Sequence, residues 1–401
     1  MNEKKLKILN VVPLPTYEPK DGGAINFLNR NYLLTEKNHV IDFLIFKETA
    51  ENCSNFEISF ADKILTIKLK NKIKSIFKSF LSKKPYIYFR HDLDKEERFK
   101  LSSLIKKNGY DIVLFETIRS YPVYELIKEE LREMNIPVAY FAHNIDYIDV
   151  YNNSKNSKNL VKKIFLSIES FKDKLIEHKF IKKFTLIFSI SPMDIKILRN
   201  INEDARIVFV PAIINFFTNK NKACDISSHK YKILFTGSLS YDPNIKAAVW
   251  FSEKVMPILR QKIKTCFLII GRNPTREILY LKKKYKDIFI FANVDSLTPF
   301  YEIADLVVIP LFNNAGVKIK LIEALKYKKM VVSRPEGVYG SGLSELIPKA
   351  DTPTEFAIKC INTLEGKIDF NPIWKKFDEI YDNEKIILDM EKELLNLSSR
   401  K

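Results

Sequence analysis

Two hydrophobic patterns alternate along the chain. Short runs of apolar, β-branched and aromatic residues are separated by longer stretches whose apolar positions recur every three or four residues. The first pattern reads as buried strands, the second as amphipathic helices. In the first half, "KILNVVPLP" (7–15), "VIDFLIF" (40–46), "DIVLFE" (111–116), "PVAYFAH" (137–143), "LIFSIS" (186–191) and "RIVFVP" (206–211) predict strands. "YPVYELIKEELREM" (121–134) is typical of the helical stretches between them. A polar stretch rich in Asn, Lys and Ser, 217–230, interrupts the pattern. It then restarts with "YKILFTGSL" (231–239), "TCFLIIG" (265–271), "IFIFAN" (288–293), "LVVIPL" (306–311) and "MVVS" (330–333).

Alternation of strand and helix gives parallel sheets covered on both faces, so the fold class is α/β. Two such series predict two doubly wound domains, over 1–215 and 231–372, with a linker at 216–230. Ligands of open α/β sheets sit beyond the carboxyl ends of the strands, so two domains of this kind facing each other create an interdomain cleft. The segment 373–401 is helical in pattern as far as 398 and follows the last strand. It is expected to cross back to the N-terminal domain. No solenoid repeat is present.

Composition changes this picture in one respect. The 401 residues suit two ordinary domains, and 46 % hydrophobic content is ample for two cores. The formal charge of +17, from 66 Lys and Arg against 49 Asp and Glu, favours an anionic partner. Nucleic acid, a membrane surface and phosphorylated substrates all qualify. Lysines concentrate in "KLKNKIKSIFKSFLSKKP" (68–85), with no acid among them. Leu69, Ile73, Ile76, Phe77, Phe80 and Leu81 fall at helical spacing there and predict one apolar face. Such a basic amphipathic helix suits the headgroup layer of an anionic membrane. The stretch 158–183 is also basic but contains Glu169, Asp173 and Glu177, which ranks it lower.

Cys53, Cys224, Cys266 and Cys360 are far apart in sequence and include no Cys-x-x-Cys pair, which disfavours a zinc site. The start, "MNEKKLKILNVVPLP", does not read as a signal peptide, and no apolar run approaches the roughly 18 residues of a membrane span. A cytoplasmic, reduced protein is expected, working at the inner face of the membrane if 68–85 docks there.

Candidate chemistry clusters after strands. In "AGVKIKLIEALKYKKMVVS" (315–333) a helix is expected to begin near Val317, just after Gly316. A helix start offers unpaired amides and the positive end of the dipole, and glycine lets an anion approach the backbone. Lys318 and Lys320 add charge, and Lys320 and Glu323, three apart, are neighbours on one helix face. In "FTGSLSYDPNIKAAVWF" (235–251), Gly237 and Ser238 open a loop between strand and helix, and "IIGRNP" repeats the arrangement with Gly271 and Arg272. Gly22 and Gly23 precede a helix after the first strand. No G-x-G-x-x-G occurs, which disfavours a dinucleotide dehydrogenase. His143 and Asn144 follow a strand's carboxyl end, whereas His39, His91, His178 and His229 read as surface or packing residues.

Taken in order, "ILFTGSLSYDPNIKAAVWF", "FLIIGRNP", "FANVDSLTPFYEIADLVVIPL" and "AGVKIKLIEALKYKKMVVS" resemble the donor-binding domain of family 4 glycosyltransferases. The N-terminal half resembles that family's acceptor-side domain. The resemblance implies the GT-B fold: two facing Rossmann-like domains. It implies a retaining, metal-independent transfer of a sugar from a nucleoside-diphosphate sugar to a hydroxyl of a glycan, glycolipid or other acceptor. Synthesis of a bacterial surface polysaccharide or glycoconjugate would be the setting, with no cofactor beyond the nucleotide sugar and no nucleic acid. Under the resemblance Glu323 grips the ribose hydroxyls and Lys320 lies near the diphosphate. Gly316 and Val317 supply phosphate-binding amides, Gly23 faces the diphosphate, Val294 offers backbone to the base, and His143 lies beside the transferred sugar. Two departures stand out. Ala315 replaces a glutamate of many relatives, and Ser238 replaces an arginine whose charge Arg272 or Lys318 would have to supply. They keep open a non-catalytic partner of the same fold; a sugar-nucleotide epimerase is the other alternative.

Overall fold

A computed structural model describes residues 4–12, 22–47, 58–155, 157, 159–214, 230–313 and 316–399. The chain forms two compact units, Met1–Ile213 with Asn383–Lys401, and Ile214–Asp382. Most of the expected linker, 216–230, lies outside the described residues, as do Ala315, Cys53, Cys224 and His229.

The first unit holds seven parallel strands: β1 (Lys7–Val12), β2 (Val40–Lys47), β3 (Ile64–Lys68), β4 (Ile112–Glu116), β5 (Val138–Ala142), β6 (Leu186–Ser189) and β7 (Arg206–Phe209). Their order is β3-β2-β1-β4-β5-β6-β7. The second unit holds β8 (Tyr231–Thr236), β9 (Thr265–Gly271), β10 (Ile288–Ala292), β11 (Leu306–Ile309) and β12 (Met330–Ser333), in the order β10-β9-β8-β11-β12. Both sheets run outward from a central pair, β1 with β4 and β8 with β11. There the winding reverses, and the crevice at the strands' carboxyl ends is where such folds bind ligands.

Every strand expected from the apolar runs is present, and several stop earlier at their carboxyl ends. β11, for instance, ends at Ile309, before Pro310, which cannot donate to a ladder, whereas 13–15 of the first expected strand lie outside the described residues. β3 was not expected. It is an edge strand, exposed on one face.

Three helical expectations need correction. The segment 68–85 is a nine-residue helix, Lys72–Phe80, with Leu69 lying before it. Asn71 caps it, its Oδ1 accepting from Lys74 N at 3.0 Å. Pro85 disfavours helical backbone at Lys84 and so separates it from the next helix, Tyr86–Arg90. The C-terminal stretch is two helices, Asn371–Ile380 in the second unit and Asn383–Ser398 in the first. Tyr381 ends the former, its hydroxyl donating to the Ser341 carbonyl at 2.9 Å. The helix of the 315–333 stretch begins at Ile319, not near Val317.

Helix Asn383–Ser398 buries Ile386, Ile387, Met390, Leu394 and Leu397. His39, 4 % exposed, ties it down: Nδ1 accepts from Leu6 N at 3.1 Å and Nε2 lies 2.9 Å from Glu391 Oε1. Arg206 pairs with Glu393 on the same helix. His91 packs edge-on against Phe46, and His178 lies against Tyr147, so the described histidines other than His143 are packing residues. Cys266 and Cys360 are free and buried.

Candidate functional site

Most of the residues singled out by sequence follow the carboxyl ends of strands, some at the central pair of a sheet and others further out. In the second unit, β8 runs into Gly237, whose φ of 149° suits glycine. A Cβ there would sit 2.8 Å from both Lys320 Nζ and Asn244 Nδ2. Gly271 closes β9, and a Cβ on it would lie 1.8 Å from the Gly237 carbonyl oxygen. The two glycines therefore let the loops after β8 and β9 touch. Leu239 N donates to the Arg272 carbonyl at 2.8 Å and holds that contact.

Lys320, one residue into helix Ile319–Lys326, reaches back over this junction. Its Nζ donates to Asn244 Oδ1 at 2.8 Å and lies 4.2 Å from the centre of the Phe235 ring. Asn244 Nδ2 donates to the Ser238 carbonyl at 2.9 Å. Asn244 thus links the two loops expected to meet phosphate, a role no local pattern announced. Burial, then the charge of Lys318, lowers the Lys320 pKa to about 7, with Glu323 opposing.

Glu323 follows on the same helix face. Tyr301 donates its hydroxyl to Glu323 Oε2 at 3.0 Å, which leaves Thr236 Oγ1, 3.1 Å away, to donate to Tyr301. Tyr301 stacks on Tyr327 with centroids 4.8 Å apart. Burial raises the Glu323 pKa to about 7, against the pull of Tyr301 and Lys320. A carboxyl, an amine and a ring of aromatic and hydroxyl groups are so held at the carboxyl ends of β8 and β11. Tyr301 was not anticipated, because a tyrosine in "TPFYEIA" reads as core.

The other candidates surround this cluster unevenly. Gly316 takes a φ of 61°, as the loop before the helix requires. Gly316 and Val317 precede the helix, so its first-turn amides belong to later residues, a correction to the expected assignment. Lys318 is the N-cap residue, buried, with Nζ donating to the Gly316 carbonyl at 3.2 Å. Ser238 Oγ meets Ser240 Oγ at 3.1 Å. Val294 packs on the core of the unit, just after Asn293, whose φ of 54° turns the chain out of β10.

In the first unit, Gly22 and Gly23 are the first residues of helix Gly22–Glu36, not a loop before it. His143 follows β5, and its Nε2 lies 2.6 Å from Glu116 Oε2 at the end of β4. Glu116 is fully buried. Burial would raise its pKa, but Arg30, His143 and Asn10 outweigh that and hold it below the ordinary value. It is therefore a carboxylate, and His143 Nε2–H is the donor. Asn10 Nδ2 donates to Glu116 Oε1 at 2.8 Å, and Arg30 pairs with the same oxygen. The Arg30 guanidinium, also buried, lies 3.7 Å from the centre of the Phe141 ring. Sequence reasoning missed Glu116 and its two other partners, Asn10 and Arg30. The one available signal was an arginine inside the apolar helix pattern "NFLNRNYLL".

Among the described residues no group of three or more His, Cys, Asp or Glu is placed to hold a metal ion, and no helix is long and apolar enough to cross a membrane.

The fold is that of GT-B glycosyltransferases. A glycosyltransferase from Rickettsia africae superposes with a TM-score of 0.65 at 18 % identity, covering 98 % of this chain and 99 % of that one. The Anabaena protein HepE, in complex with UDP and glucose, gives 0.62 at 11 % over 98 % and 100 %. The family described as glycosyl transferases group 1 matches residues 230–366, which contain the whole Gly237–Lys320–Glu323 cluster. Over 405 aligned residues the chain is 24 % identical to an uncharacterized 44.6 kDa protein in the cps region of Klebsiella pneumoniae, covering 96 % of this chain and 99 % of that protein.

Proposed function

We propose that the protein is a retaining glycosyltransferase that moves a sugar from a nucleoside-diphosphate sugar to a hydroxyl of a glycan or glycolipid, in synthesis of a bacterial surface polysaccharide. The observation that carries this reading is the Lys320–Asn244–Gly237 junction with Glu323 beside it, within the region matched to group 1 glycosyl transferases. Glu323 accepts from the ribose hydroxyls, and Lys320 with the amides of the Gly237 and Ile319 loops meets the diphosphate. The relative in the cps region of Klebsiella pneumoniae supports the setting.

As the bond from the anomeric carbon to the diphosphate breaks, negative charge grows on the leaving oxygen. A prearranged cation and backbone amides stabilise that charge most in the transition state, without needing a metal. In front-face transfer the acceptor oxygen bonds the anomeric carbon on the side the diphosphate leaves. The acceptor's proton passes to a leaving phosphate oxygen. His143, held by Glu116, orients the reacting sugar instead of acting as the base; Nε2–H is committed to Glu116, so Nδ1 is the free acceptor edge. Catalytic residues are His143 and Glu323, with Gly22, Gly23, Gly237, Ser238, Arg272, Val294, Gly316, Val317, Lys318 and Lys320 on the donor path. The acceptor is reached at the inner face of an anionic membrane, met by segment 68–85.

A thermal-shift screen of nucleotide sugars tests the donor assignment. A donor at a hundred times its dissociation constant should stabilise the fold by about 2.7 kcal/mol. Product analysis by NMR then reads the anomeric configuration. No shift with any nucleotide sugar, or an inverted product, would overturn the reading.

A further inference from the structure

Helix Leu160–Ile181 is built inside out over most of its length, up to the last turns, where Ile176, Phe180 and Ile181 are buried in the ordinary way. Leu160, Ile164, Ile168, Phe171 and Leu175, which share one face at helical spacing, are all exposed, Phe171 by 64 %. Glu169, Asp173 and Glu177, four apart, lie on the opposite face and are all buried. Glu177 Oε1 and Oε2 accept from Asp146 N and Tyr147 N at 3.1 and 3.0 Å. Glu169 accepts from Ser79 Oγ and Tyr86 N, each at 2.5 Å.

Helix Lys72–Phe80 has the same inversion. It buries Ser75 and Ser79 and exposes Ile73, Phe77 and Phe80, with Leu81 just beyond. The two helices are locked together. Lys172 Nζ donates to the Ser79 carbonyl and Oγ at 2.8 and 2.9 Å, and the Phe80 and Phe165 rings lie 5.7 Å apart. The acids that set the second helix apart in sequence face inward. The outward surface of both helices thus carries apolar side chains and the exposed lysines Lys72, Lys74, Lys78, Lys163 and Lys174, with no acid.

Apolar area on this scale marks an interaction site. Like charge around both stripes opposes pairing with a second copy, whereas an anionic bilayer satisfies both features. We propose that helices Lys72–Phe80 and Leu160–Ile181 form one docking surface for an anionic lipid bilayer, the apolar stripes entering the acyl region between headgroups that the lysines neutralise. This rests on the reading that 68–85 meets a membrane and adds the longer helix as the larger inserted element.

Flotation with phosphatidylcholine vesicles, with and without phosphatidylglycerol, tests it. Wild type should float with the anionic vesicles and not with phosphatidylcholine alone. The Ile164→Asp/Ile168→Asp/Phe171→Asp variant, altered only at exposed positions, should bind at least about tenfold more weakly with unchanged circular dichroism. Phe171→Trp fluorescence, as a difference against wild type, should be quenched by brominated acyl chains. If the triple variant floats like wild type while Lys72→Glu/Lys74→Glu/Lys78→Glu does not, the longer helix has no part and only the 68–85 reading survives. If wild type floats with neither vesicle, both fall. A wild-type dimer in light scattering that the Ile164/Ile168/Phe171 variant converts to monomer would assign the stripe to a second copy and overturn the proposal.

Discussion

Glu116 and Glu323 occupy matching places, each at the central strand pair of its sheet, and they are held in opposite ways. Glu116 is enclosed by Arg30, Asn10 and His143, which together hold its pKa down despite complete burial. Glu323 has Tyr301 and Lys320 near it, and burial prevails, raising its pKa to about 7 while Lys320 falls to about 7. The first carboxylate is neutralised by the protein itself and serves structure and orientation. The second is held in a state whose charge is costly until something polar meets it, as expected of a binding residue.

The largest test of that contrast is Glu116→Ala. It leaves the buried Arg30 guanidinium without its counter-ion, and breaking a buried pair in this way costs about 3–5 kcal/mol. Urea unfolding should show that loss. A change below about 1 kcal/mol would mean that Glu116 is not the strut described here. Glu323→Ala should do the reverse. Stability should barely change, while donor affinity, read by calorimetry, falls at least about tenfold through two lost charge-assisted hydrogen bonds of roughly 1.5–3 kcal/mol each. Unchanged donor binding would remove Glu323 from the ribose site.

His143→Ala comes next. Turnover should fall about tenfold or more, with donor affinity nearly constant, because orientation matters mainly in the transition state. Equal losses in both would make His143 a binding residue.

The smallest effect is protonic. Between about pH 4.5 and 7 folded Glu323 keeps a proton that the unfolded chain has released, so its contribution to stability falls as pH rises. Between about 7 and 10.5 folded Lys320 lacks a proton that the unfolded chain retains, so its contribution rises. Together they place a stability minimum near pH 7. A bound diphosphate favours charged Lys320 and ribose hydroxyls favour charged Glu323. Donor binding should therefore take up protons at pH 8 and release them at pH 6. Calorimetry in buffers of different ionisation heat reads the sign, and the same sign at both pH values would contradict the assignment.

Strands and the residues that close them were legible because their signal is local: β12 was read to the residue and β8 begins where expected. Gly237, Lys320 and Glu323 were legible for the same reason, as punctuation between strand and helix. Their partners were not. Arg30 meets Glu116 across 86 residues, Asn244 meets Lys320 across 76, and Tyr301 meets Glu323 across 22. Nothing in a local window ranks one buried tyrosine above another. Helix Leu160–Ile181 misled for a subtler reason: its acids lowered its rank as a membrane element, yet their four-residue spacing opposite an apolar stripe already encoded the inversion.

The C-terminal helix Asn383–Ser398 sets an order of manufacture. It belongs to the first unit, where Glu391 meets His39 and Glu393 meets Arg206, yet it leaves the ribosome after the entire second unit. Domains generally fold as they emerge, N-terminal first. Here the first unit waits, with the surface that will receive Ile387, Met390 and Leu394 uncovered, through translation of some 170 residues of the second. That interval is when the nascent chain is most open to chaperones and to aggregation.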